Sequence, residues 1–140
     1  MSIKTILAAI AGAILAFLLG WLIYGFLLMD YFEANTTHYD GLMKEMPNLL
    51  LVFINNLIWS SLLAFIFYKW AGIKSFAGGI KGGIIIALPI SLSFDLYLVS
   101  GMNIFTPTLV VVDVIASTVM WAIVGGLIGF ILGTGKKAGV

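Results

Sequence analysis

Asp95 and Asp113 are the residues whose type and setting imply chemistry, because each falls inside a long apolar run. An ionisable group near the bilayer centre costs about 2.5–3.5 kcal/mol on insertion scales, so it is carried where it faces a bundle interior or a wet cavity. Asp95 continues the small-residue stripe Gly79-Gly83-Ala87-Ser91, and Asp113 begins Asp113-Ser117-Trp121-Gly125. At ~1.5 Å of rise per residue, Asp95 lies ~6 Å and Asp113 ~9 Å from the outer ends of their helices. Asn55 and Asn56 fall about 12 Å below the outer end of another helix, with Trp59 and Ser60 one turn further in, and Trp21 and Tyr24 come at a comparable depth. No lysine or arginine lies in this layer. Two carboxyls that approach each other there would share a proton or hold a cation, since like charges repel strongly where water is scarce. Asn55, Asn56, Tyr24 and Ser117 would supply neutral ligands or hydrogen bonds, with Trp21 beside them. The plainer alternative is a hydrated structural cluster near the headgroups, its interhelical hydrogen bonds worth about 0.6 kcal/mol each.

The elements that must position these groups are membrane helices. Of 140 residues, 62% are apolar and 9% charged, against about 25% charged in an ordinary soluble domain. A chain this short cannot bury so much apolar surface within itself, and the mean hydropathy of +1.17 agrees. Four runs reach membrane length, at 6–29, 47–68, 80–99 and 107–132, each near the ~20 residues that a spanning helix needs. They lack the alternation of barrel strands. The expected fold is a single all-α domain, a four-helix transmembrane bundle over residues 1–140. Pro47 and Thr106-Pro107 mark helix starts, Gly72, Gly101 and Gly133 mark stops, and Pro89 predicts a kink. The first run exceeds the ~7–15 apolar residues of a signal peptide and reads as a retained helix.

Lysine placement orients the bundle. Lys4, Lys69, Lys74, Lys81, Lys136 and Lys137 fall on one side; Lys44 stands alone on the other, among Asp30, Glu33, Asp40 and Glu45. The positive-inside rule puts both termini in the cytoplasm. The expected location is the inner (plasma) membrane, multi-pass.

Small residues recur every fourth position at Ala8-Gly12-Ala16-Gly20, at Gly79-Gly83-Ala87-Ser91 and at Gly125-Gly129-Gly133. Such stripes let helix backbones approach closely in lipid. They predict packing within the bundle or, alternatively, contact with a second copy or a larger membrane complex.

Other signals are weaker. With no cysteine there is no disulfide, thiolate metal site or cysteine nucleophile. The net charge of +1 offers no patch for nucleic acid. His38 stands among loop carboxylates, but one imidazole with irregular spacing reads as a solvated loop, not a metal site. Asn35-Thr36-Thr37 is a sequon relevant only in a secretory pathway. Gly78, Gly79, Gly82 and Gly83 beside Lys81 lack the order of a phosphate loop. The sole histidine lies in a loop, so no serine-histidine-acid set serves the bilayer. Neither an enzyme nor a cofactor is expected.

Gly20-Trp21-Leu22-Ile23-Tyr24-Gly25 and, in the last helix, Asp113 followed by Gly125-Gly126-Leu127-Ile128-Gly129 resemble a family of small bacterial four-helix membrane proteins of unknown function. The resemblance implies a fold and a membrane location, and no activity. The expectation is a polytopic protein with an outward-facing polar pocket for a proton, a cation or a small ligand, of transport type. The alternative is a structural or accessory subunit without activity of its own.

Overall fold

The computed structural model describes residues 2–135 and is all-α. α1 (Ile3–Leu22) continues as a π-helical turn, Ile23–Leu27, followed by a short α2 (Met29–Asn35). α3 (Leu49–Ile66) also ends in a π turn, Phe67–Ala71; α4 (Phe76–Gly101) and α5 (Pro107–Gly133) complete the chain. Four segments are long and apolar enough to cross a membrane: Ile3–Leu27, Leu49–Ala71, Phe76–Gly101 and Pro107–Gly133. The protein is therefore read as a four-span helical membrane protein, as its hydropathy requires.

The boundaries follow local chemistry. Ser2, Asn48, Ser75 and Thr106 each accept a hydrogen bond from a backbone N–H of the first turn, which satisfies one of the donors a helix start leaves open. Asn48, rather than Pro47, caps the second span. The third span begins at Phe76, four residues earlier than its hydropathy suggests, because Ser75 starts the helix ahead of the glycines. Gly72 ends the second span with φ 61°, a left-handed conformation that glycine adopts without a Cβ clash. α4 remains helical through Pro89. The expected 6–29 helix instead divides at Leu28, whose φ of −107° and ψ of 3° leave the helical region.

α5 is the hub. It packs most extensively on α4 and also on α1, while α3 packs mainly on α1 and lightly on α5. α3 and α4 have no extensive contact with each other; the second span reaches α4 at the lysine-bearing end, where the Phe67 ring lies against Gly82. The layout is an arc, α4–α5–α1–α3, with one side open.

Glycines set the α4–α5 contact. A Cβ on Gly79 would collide with the Gly125 carbonyl oxygen, one on Gly83 with that of Trp121, one on Gly129 with that of Ser75, and one on Gly133 with that of Lys74. The two glycine stripes thus face one another. On α1, Ala8, Gly12 and Ala16 are buried; a Cβ on Gly12 would collide with the Ser60 hydroxyl, which donates 2.7 Å to the Ala9 carbonyl. The α4 and α5 stripes and the Ala8-Gly12-Ala16 part of the α1 stripe thus pack inside the chain, while Gly20 stays half-buried. Phe67, Leu63, Ile128 and Val124 fill the core between them. At the lysine-bearing end, the Lys4 ammonium donates to the Thr134 carbonyl just after α5; Lys136 and Lys137 lie outside the described residues.

Gly83→Leu is expected to destabilise the protein by about 1–3 kcal/mol or more, through overpacking against backbone that cannot yield. Gly101→Leu, with nothing within 4 Å of its Cβ position, serves as the tolerant control. Thermal unfolding in detergent reads both.

Candidate functional site

The α4–α5 contact brings Asp95 and Asp113 together. Asp95 is 4% exposed, and its carboxyl lies within hydrogen-bonding reach of that of Asp113, which is half-buried. Tyr24 enters from α1 on the π turn, a helix variant often found at functional sites. Its hydroxyl donates to the Asp113 backbone carbonyl at a long 3.5 Å, with the Asp113 carboxyl and Ser117 nearby. Phe32 of α2 packs edge-on against the Tyr24 ring at 5.3 Å. Four of the seven residues expected from the sequence, Asp95, Asp113, Tyr24 and Ser117, therefore form one cluster contributed by three helices.

That cluster has an electrostatic peculiarity. Asp95 Oδ2 is enclosed and has no hydrogen-bond partner among the described residues. The polar group facing it is another carboxyl, and two ionised carboxylates are both acceptors. A proton held between them would supply the missing donor. A small cation would do the same electrostatic work.

Asn55, Asn56 and Trp21 do not join this cluster. Asn56 is buried, 6% exposed, and lines a cavity of about 370 Å³ between α1 and α3 that Tyr24 and Met120 also border. Asn55, its neighbour, is exposed on the other side of α3. Consecutive helical residues point about 100° apart, and the two line different cavities. Trp21 is 64% exposed, its ring beside Gly25 at 3.4 Å from the position a Cβ would take there. It edges the cavity that Asn56 and Tyr24 line.

The open side of the arc forms a second feature, a groove of about 390 Å³ with α3 and α4 as walls and α5 as floor. The lining grades along its length. Asn55, Ser91 and Ser117 stand toward the end that holds the carboxyl pair, and Leu63, Ile86 and Ala87 toward the lysine end. Trp59 and Trp121 meet in it, ring centres 6.1 Å apart and tilted by 48°, and Phe94 adds a third ring. The Ser91 and Ser117 hydroxyls donate to the Leu88 and Val114 carbonyls of their own helices, leaving their oxygens able to accept. Sequence reasoning placed Ser117 with the carboxyls and missed Phe94 and the groove. The tryptophan and serine positions were its available signal; the gap between α3 and α4 was not.

A strap closes over the loop end. The Thr37 N–H donates 2.7 Å to the Ile104 carbonyl and the Thr106 N–H donates 3.2 Å to the Asn35 carbonyl, around a single antiparallel bridge between Thr36 and Phe105. The Tyr39 hydroxyl donates to the Asn103 carbonyl at 3.2 Å. Asn35 of the sequon donates its own amide to the Tyr31 carbonyl. His38 and Asp40 are exposed, and no group of three or more histidine or acidic residues gathers as a metal site among the described residues.

Fold and site together define a four-span helical membrane protein with a buried carboxyl pair beside a side-opening groove. The chain matches no protein-family model, no curated protein and no solved structure with which it was compared.

The orphaned Asp95 oxygen makes opposite outcomes for two substitutions at Asp113. Asp113→Asn places an amide donor opposite Asp95 and is expected to leave stability unchanged or raise it by up to about 1 kcal/mol. Asp113→Leu strands the buried carboxyl and is expected to cost about 3 kcal/mol or more. Chemical or thermal unfolding in one detergent compares them.

Proposed function

We propose that the protein is a bacterial plasma-membrane protein of transport or ligand-binding type, whose Asp95–Asp113 pair takes up and releases a proton or a monovalent cation. The observation that carries this reading is the enclosed Asp95 Oδ2, which has another carboxyl facing it and no donor among the described residues. With one proton between them the two groups keep a single negative charge. Tyr24 borders Asp113 and can turn its hydroxyl toward the carboxyl as the charge changes. The default expectation for ionisable groups inside a membrane, that they serve a function, favours the same reading.

Orientation belongs to this proposal. Lys4, Lys69, Lys74 and Lys81 gather at the end where α1 begins and α5 finishes, and Asp30, Glu33, Asp40 and Glu45 at the opposite end. The positive-inside rule makes the lysine end cytoplasmic and puts the carboxyl pair in the outer leaflet. Alkaline phosphatase inserted after Gly41 is then expected to be active, and a fluorescent protein fused after Val140 to fluoresce; the reverse pattern would invert the topology.

Infrared spectroscopy tests the shared proton. At neutral pH the wild type is expected to show a protonated-carboxyl C=O band that disappears in Asp95→Asn. A wild-type spectrum with ionised carboxylates only, and no bound cation to account for them, removes the reading.

A further inference from the structure

The groove and the carboxyl pair adjoin. Ser91 stands about one helical turn from Asp95, and Ser117 about one turn from Asp113, about 6 Å of rise in each case. Phe94, a lining residue, immediately precedes Asp95. We infer that this groove binds a single-chain amphiphile with a positively charged head, which enters sideways from the bilayer.

Four observations carry the assignment. First, α3 and α4 have no extensive contact, their spans meeting at the lysine end through Phe67 and Gly82, so the groove opens between two spans, toward lipid. Second, its volume of about 390 Å³ falls in the usual small-molecule range of roughly 300–1,000 Å³. Third, the lining is itself amphipathic along the membrane normal. Asn55, Ser91 and Ser117 would meet a head, and Leu63, Ile86 and Ala87 a chain. That gradient matches the orientation of a lipid in the leaflet that holds the polar end. Fourth, charge chooses the head. This step rests on the proton-sharing reading above, in which the pair keeps one negative charge with no lysine or arginine in its layer. Over one helical turn in a medium of low dielectric constant, that charge attracts a cation far more strongly than it would across water. The faces of Trp59 and Trp121 add cation–π attraction. A neutral head gains neither, and an anionic head is repelled.

The test uses the full chain in phosphatidylcholine nanodiscs, titrated with dodecyltrimethylammonium and, separately, with the uncharged dodecyl maltoside. Intrinsic tryptophan fluorescence is the readout, with empty nanodiscs subtracted. The ammonium amphiphile is expected to bind at least about tenfold more tightly than the neutral one. The double variant Asp95→Asn/Asp113→Asn, which leaves the pair no charge, should bring the two affinities together. Ile90→Phe, at an exposed lining position, and Ala87→Phe, deeper in the groove, should each weaken both ligands; the first keeps the test open if the second fails to fold. Equal affinity of the wild type for both amphiphiles overturns the inference. So does unchanged ammonium binding in a folded groove-filling variant. The infrared band separates this proposal from the one on which it rests: a band without charge preference defeats the groove assignment alone. Charge preference without the band upholds the groove and removes the shared proton.

Discussion

The rest of the structure depends on the backbone-to-backbone contact of α4 with α5. In lipid there is no hydrophobic drive to bring helices together, because the tails are as apolar as leucine. Association must come from dispersion, which falls away within a fraction of an ångström, so it rewards surfaces that lack a Cβ. Gly79, Gly83, Gly125 and Gly129 provide such surfaces on both partners, and a methyl group at any of them would run into a carbonyl oxygen. The same residues that permit the contact also fix its register, because each lies against one particular backbone segment. Asp95 and Asp113 sit further along these two helices and inherit their proximity from it.

That proximity runs against simple electrostatics, and this gives it meaning. A bundle selected for stability alone would put leucines where the carboxyls stand. Instead, α5 presents Asp113 to Asp95 on one flank and to Tyr24 on the other. α5 can do so because it is the hub of an arc rather than one corner of a closed square. The arc leaves α3 and α4 apart, and the groove between them is a consequence of that asymmetry. Thus one packing decision, glycine against glycine, yields both the charged pair and the open flank beside it.

Much of this was legible in the residues. The four spans followed from hydropathy, and the Thr106-Pro107 start was read correctly because a cap residue before proline is a local signal. The pairing of Asp95 with Asp113 was also within reach, since a short loop makes their helices antiparallel neighbours. Asn55 and Asn56 show where such reasoning stops. Counting rise gives depth alone, and depth does not say which way a side chain faces; the two border different cavities. Trp21, largely exposed, edges the Asn56 cavity rather than the carboxyl pair. The third span, read from Ile80, begins at Phe76 and so takes in Gly78 and Gly79, residues of poor helix propensity. Tertiary packing overrides propensity there, since the close approach to α5 needs Gly79 inside the helix beside Gly83.

The sequence by itself determined the solvent of this protein, the number of its spans and the two charges that hydropathy cannot explain. These are properties of single segments, set by how each stretch of side chains partitions between water and lipid. Only the tertiary structure decided which helices touch, which of seven polar candidates meet, and that one flank stays open. Those are relations between segments. They depend on the rotation of each helix about its own axis, which equally apolar lipid leaves free until small residues on two particular faces lock together.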